Sequence, residues 1–147
     1  MIHFGDIEHG WAIAKAIPRN FNPAVDRVIS RTNNEGELLG GVIFDYYTGP
    51  AIFMHQAGFA KNWINRDMLW VCFDYPFNQL KCNKIFGTIP SSNPQLLAYN
   101  KKIGFTLEVT LKGAYPGADM LVLAMDRDQC RWLDLKPSGL KRGGSDV

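Results

Sequence analysis

Cysteine is scarce and poorly spaced for chemistry. Only Cys72, Cys82 and Cys130 occur, and an odd count at wide intervals indicates neither a disulfide framework nor a zinc site. The expectation is three reduced thiols in a cytoplasmic protein. No Cys/His pair has metal-ligand spacing, so no metal is expected. There is no Gly-x-x-x-x-Gly-Lys-Ser/Thr run and no Gly-x-Ser-x-Gly elbow, which excludes a P-loop nucleotidase and an elbow-type hydrolase. No run of 18 apolar residues exists, so nothing is expected to span a membrane. The opening Met1-Ile2-His3-Phe4-Gly5-Asp6 lacks a basic stretch followed by an apolar core, so no signal peptide is read.

An excess of one charge is also missing where it would matter. The 147 residues carry 16 Lys+Arg and 14 Asp+Glu, a net +2. Residues 1–135 balance 13 cations against 13 anions, and the whole excess sits in residues 136–147. A neutral body argues against a large nucleic-acid face, which needs clustered cations. With 46% hydrophobic and 20% charged residues, the chain is rich enough in apolar side chains to rule out wholesale disorder. The length fits one domain, taken as residues 1–135, followed by a disordered basic tail at 136–147.

The order of elements is legible. Asp6 caps a helix through about Ile17, with Ile7, Trp11 and Ala14 on one side; Gly10 weakens it and Pro18 stops it. Strands follow at 25–32, at Leu38 to Tyr46 across an Asn33–Gly36 turn, and at Ala51 to Ala57. The third is mostly apolar on both faces and reads as central. Asn65 caps a helix to about Leu80, in which Pro76 should produce a kink or an end. A strand spans Asn83 to Ile89. Asn93 and Pro94 open a helix that Gly104 closes. Phe105 to Lys112 and Met120 to Asp126 are the last strands, and Arg127 to Leu133 a short helix. The two helical crossovers imply parallel neighbours in the sheet centre. The fold class is α+β, a mixed sheet of about six strands flanked by helices.

The segment Asn93-Pro94-Gln95-Leu96-Leu97-Ala98-Tyr99-Asn100-Lys101-Lys102-Ile103-Gly104-Phe105 resembles the signature of the GNAT acetyltransferase superfamily. Tyr75-Pro76-Phe77, with Asp128 to Leu133, looks like small members encoded by bacteriophages. The resemblance implies acetyl-CoA as co-substrate, held between the central strand and a parallel neighbour that splays from it. The pantetheine arm would lie along the central strand. The loop after it and the next helix N-terminus would hold the pyrophosphate, which suits free amides and a positive helix end. Gln56, Ala57, Gly58, Lys61, Asn65 and Arg66 are then the cofactor-binding candidates, with Asn93 as N-cap and further contact. The loop has one glycine and a bulky Trp63 where such loops usually carry a Gly-rich run.

The acceptor would be a primary amine of a small molecule or protein, attacking the thioester directly. Many superfamily members place a tyrosine seven residues after the signature asparagine, where it protonates the leaving thiolate. Here Asn100 stands there, and Tyr99 lies about 100° around the helix. Tyr99 is the candidate acid, with a core aromatic as the other reading. A general base is needed too; His55 is the candidate on the central strand, with a structural histidine as the alternative. Asp45 is a second candidate base or a turn residue. Trp63 and Trp70 are core or cleft residues. The runner-up function is a non-catalytic acyl-CoA-fold binding or virion-associated interaction protein. No nucleic acid or membrane partner is expected, and a homodimer is left open.

Overall fold

The computed structural model describes residues 1–135 and Pro137. The tail expected at 136–147 otherwise lies outside the described residues. The elements are β1 (Ile2–Phe4), α1 (Ile7–Ala16), β2 (Arg27–Thr32), β3 (Leu38–Asp45), β4 (Ala51–Gly58), α2 (Arg66–Asp74), a π turn (Tyr75–Gln79), β5 (Lys84–Pro90), α3 (Pro94–Ile103), β6 (Thr106–Tyr115), β7 (Ala118–Asp126) and two 3-10 turns (Arg127–Gln129, Arg131–Asp134). The sheet has seven strands in the order β1-β2-β3-β4-β5-β7-β6. The strand beyond the expected six is β1. Its three residues bury Ile2 and Phe4 and pair antiparallel with β2.

β4 is central, as its apolar character required. The β4–β5 pair is parallel. The second crossover does not join neighbours: β7 inserts antiparallel to both β5 and β6.

The helix boundaries follow local chemistry. Asp6 accepts a hydrogen bond from the His9 amide, Asn65 from Met68 at 2.8 Å, and Asn93 from Leu96 at 3.1 Å. These side chains satisfy amides that the first turn leaves without a helical acceptor. Gly104, with φ 124°, closes α3. The carbonyls at the end of α3 accept from Arg131 (to Lys102) and Trp132 (to Ile103), both at 2.7 Å.

One local expectation is corrected, the face that α1 presents to the sheet. Gly10 is a packing position, because a Cβ there would stand 2.4 Å from Phe21 Cζ and 2.9 Å from Val28 Cγ2. The buried face of α1 is therefore Gly10, Ile13 and Ala14, while Ile7 and Trp11 are exposed. As expected, the regular α-helix stops at the proline: α2 ends at Asp74, two residues before Pro76. The chain widens into the π turn, where Asp74 accepts from Asn78 and Gln79 and Arg127 donates to the Phe77 carbonyl and Asn78. Proline's missing N–H is tolerated where the helical ladder is already broken.

Helices cover the sheet unequally. α1 packs on β2, β3 and β4 around Ile13, Phe21, Val28 and Ile43. On the opposite side lies the larger core, with Phe44, Met68, Phe73, Phe77, Ile85 and Leu123, joined by Leu96, Leu97 and Ile103 of α3. Trp63 and Trp70 pack against this core. No helix among the described residues is long and apolar enough to cross a membrane.

Candidate active site

β4 and β5 are joined over three residue pairs only, Ala51–Lys84, Ile52–Ile85 and Phe53–Phe86. Beyond Phe53, β4 continues to Gly58 paired with β3 alone, and β5 continues to Pro90 paired with β7 alone. The strands thus part into a wedge, and one edge of β4 loses its ladder partner. The wedge opens into a cleft of about 650 Å³. Met54, His55, Gln56, Gly87, Thr88 and Asn100 are among its lining residues.

At the cleft mouth three polar side chains meet. His55 Nε2 lies 2.9 Å from Asp45 Oδ1, and Arg19 Nη1 lies 3.2 Å from His55 Nδ1. Arg19 Nη2 also donates to Asp45 Oδ2. Side-chain exposures of 32% for Arg19, 13% for Asp45 and 7% for His55 make this a largely desolvated cluster. Burial alone would push the Asp45 carboxyl up. The His55 hydrogen bond and the Arg19 guanidinium outweigh it and hold Asp45 below the usual carboxylate range. Arg19 can only donate, so His55 Nδ1 must accept, and the ring is the neutral Nε2–H tautomer assigned from its partners. Asp45 is therefore part of the cluster rather than a turn residue. Arg19 Nε is buried without a partner.

The loop candidates lie at the open end of the wedge. Gln56 faces the cleft, whereas the Ala57 side chain is buried in the core under α1. Gly58 seats Trp63, since a Cβ there would lie 2.3 Å from the indole nitrogen. The Phe59 and Ala60 amides donate to the Leu39 carbonyl, at 2.8 and 3.1 Å, and are not available to an anion. Arg31 fixes the loop by donating to the carbonyls of Asn62 (2.8 Å) and Trp63 (3.0 Å). Lys61 and Arg66 are exposed beside the start of α2, where Asn65 is the cap.

On α3, Asn93 spends its side chain on the cap. Asn100 is buried; its Oδ1 accepts from Gln56 at 3.1 Å, and its Nδ2 donates to the Leu96 carbonyl at 2.9 Å. It therefore ties α3 to β4 across the wedge. Tyr99 is 40% exposed and is not among the residues lining the cleft. Burial of its hydroxyl, with the Cys72 thiol nearby, pushes its pKa up.

The structure thus gathers His55, Gln56 and Asp45 around the cleft mouth, sets Gly58, Lys61, Asn65 and Arg66 at the loop and helix start, and leaves Tyr99 and Asn93 at its margin. Sequence reasoning missed Arg19. The signal that could have found it is His55 itself: a polar ring on an apolar central strand needs buried partners.

No protein-family model matches the chain, and no curated protein matches its sequence. Solved structures do match. A spermidine N-acetyltransferase from Vibrio cholerae in complex with CoA and spermine is 18% identical, with a TM-score of 0.61 over 75% of this chain and 69% of that one. A dodecameric structure of the same enzyme in an intermediate state gives 0.63 at 18% identity, over 78% and 70%. A spermidine/spermine N-acetyltransferase from Vibrio cholerae in complex with manganese ions gives 0.59 at 19%, over 76% and 69%. At these identities the likeness establishes architecture: the seven-stranded mixed sheet with its parted central strands is the GNAT acetyltransferase fold.

Proposed function

We propose that the protein is an acetyl-CoA-dependent N-acetyltransferase acting on a primary amine. The observation that carries this is the parting of β4 and β5 after Phe53 and Phe86, which frees one backbone edge of β4 beside a cleft of about 650 Å³. Amide-bearing chains such as pantetheine bind an open strand edge through main-chain hydrogen bonds. The α2 N-terminus, with Lys61 and Arg66 beside it, suits the pyrophosphate. Among the solved structures that share this fold are spermidine N-acetyltransferases, one of them holding CoA and spermine.

In the reaction, the amine nitrogen attacks the thioester carbonyl carbon. The C–N bond forms, the C–S bond breaks, nitrogen gives up one proton and the CoA thiolate gains one. Orientation of the two reactants supplies much of the rate. His55 takes the proton at Nδ1 once the Arg19 guanidinium turns off that nitrogen while keeping its Asp45 contact; Asp45 holds the ring through Nε2–H. Tyr99 is the candidate donor to the thiolate, and Tyr99→Phe with unchanged turnover would assign that proton to water. The cytoplasmic setting and the bacteriophage kinship stay with this proposal. They rest on three free, buried thiols and on Tyr75-Pro76-Phe77 with Asp128 to Leu133.

A second reading, a non-catalytic acyl-CoA-binding module, is favoured by one observation. An amide, Asn100, sits where the resemblance expects a tyrosine, and both its polar atoms are used structurally. Two measurements separate the readings. Acetyl-CoA should raise the melting temperature; at 100 times its Kd the stabilisation is about 2.7 kcal/mol. CoA-thiol release over a panel of amines then reports turnover. A thermal shift without release supports the binding module, and no shift at millimolar acetyl-CoA overturns both.

A further inference from the structure

The cleft continues past His55 into a second cavity of about 500 Å³, on the sheet face that α1 leaves bare. Its walls are Tyr46, Phe53, Thr88, Tyr115 and Met120, with Arg19, Asp45 and His55 at the junction. The aromatic part is continuous. Phe53 stacks 18° from parallel against His55 at 6.3 Å, meets Phe86 at 5.3 Å, and receives the Tyr46 ring edge-on at 5.9 Å.

Tyr46 is held there by its backbone. Its φ is +53°, a conformation unfavourable for a bulky side chain, and the residue is 76% exposed. Strain of this kind persists only where the surroundings fix it, and an exposed aromatic gains little stability in return. The conformation instead lays the ring against Phe53, at the wall of the cavity.

The charge of this region is equally specific. Among the described residues, Asp45 is the one carboxylate lining either the cleft or the cavity. It is already paired with Arg19 and hydrogen-bonded to neutral His55, so the junction has no net negative charge to offer. A polyamine brings several ammonium groups. Each one desolvated without a carboxylate costs free energy that aromatic contacts do not return. A ring-bearing monoamine has one ammonium group to neutralise before attack, and its body stacks on Tyr46 and Phe53.

We infer that the acceptor is a monoamine with an aromatic or apolar body, not a polycation such as the spermine held by the Vibrio cholerae enzyme. This inference rests on the acetyltransferase reading above. The test uses the full chain and fixed acetyl-CoA, and measures kcat/KM by thiol release for 2-phenylethylamine and for spermine. The aromatic amine should be favoured by at least about tenfold, the scale on which apolar pockets discriminate. Tyr46→Ala should lower 2-phenylethylamine kcat/KM more than spermine kcat/KM, with the melting temperature unchanged. Met120→Glu, which adds an unpaired carboxylate to the cavity, should move the preference toward spermine. Equal or better use of spermine by the wild-type chain overturns the inference and leaves the acetyltransferase reading standing. Thermal stabilisation by acetyl-CoA with no release from any amine overturns both.

Discussion

Replacing Asp45 by Asn tests the cluster at the cleft mouth most directly. The amide keeps the shape and can still accept from His55 Nε2–H. What it removes is the negative charge facing Arg19, whose Nε already lacks a partner. A hydrogen bond to a charged group is worth about 1.5–3 kcal/mol. Losing one partner of a fully buried pair costs about 3–5 kcal/mol. Arg19 is about a third exposed, and water screens part of that loss. The expected destabilisation is therefore about 2 kcal/mol. For a chain of this size that is about 6–8 °C in melting temperature. The sign of the pH dependence follows from the depressed carboxyl of Asp45. Its stabilisation is present above the unfolded value, about 3.9, and is lost as pH falls through the lower folded value. The wild-type advantage should hold steady between about pH 5 and 7 and shrink only below about pH 4. Thermal melts of wild type, Asp45→Asn, Arg19→Met and the double variant form a cycle. The double variant should lose much less than the two single losses combined, because it leaves no stranded guanidinium. A melting temperature for Asp45→Asn within about 1 °C of wild type, or strict additivity in the cycle, would refute the reasoning.

Other outcomes follow from the same geometry. Gly58→Ala forces Trp63 to move by about 1 Å, since the new Cβ would start 2.3 Å from its indole nitrogen; a loss of about 1–3 kcal/mol in chemical denaturation is expected, with weaker acetyl-CoA binding by calorimetry. Asn100→Ala strands the Gln56 amide and should cost about 1–3 kcal/mol; a melt unchanged from wild type would contradict the bridge across the wedge. Burial pushes the Cys72 thiol up to about 12, and Cys82 and Cys130 are also raised and buried. An aromatic disulfide reagent at pH 8 should therefore leave the native chain unlabelled over minutes and titrate all three thiols in denaturant.

How much of this was legible in the sequence depends on the range of the interaction. The caps Asp6, Asn65 and Asn93 act within three residues, and all three fall where their side chains imply. β4 was recognisable as central because its residues are mostly apolar on both faces, His55 and Gln56 excepted. β1 is three residues long, too short for its alternation to register. The orientation of α1 reversed an ordinary inference. Ile7, Trp11 and Ala14 read as one side of the helix, yet it approaches the sheet at Gly10, where the absence of a side chain is what Phe21 and Val28 need. The Arg19–Asp45–His55 cluster was the least legible. Its members come from the loop after α1, the end of β3 and the middle of β4, and no local pattern marks a contact 26 or 36 residues away. His55 alone carried a clue, as a polar group in an apolar strand. The parting of β4 from β5 likewise has no local signature, because it depends on which strands β5 and β7 pair with.

The three-pair junction between β4 and β5 also divides the chain in time. Everything N-terminal to it, from β1 through β4, pairs with its neighbour in sequence and lies within residues 2–58. The C-terminal group of β5, β7 and β6 spans residues 84–126 and closes on itself. The first group can set its register as it leaves the ribosome, because its contacts are local. On this topology the seam is expected to form last, after α2 has been made. A seam of so few ladder bonds is the natural place for sub-global opening. Amide exchange at Ala51, Ile52, Phe53 and the facing residues of β5 should accordingly be faster than in the middle of β3 or β7, although all of them lie at the centre of the sheet.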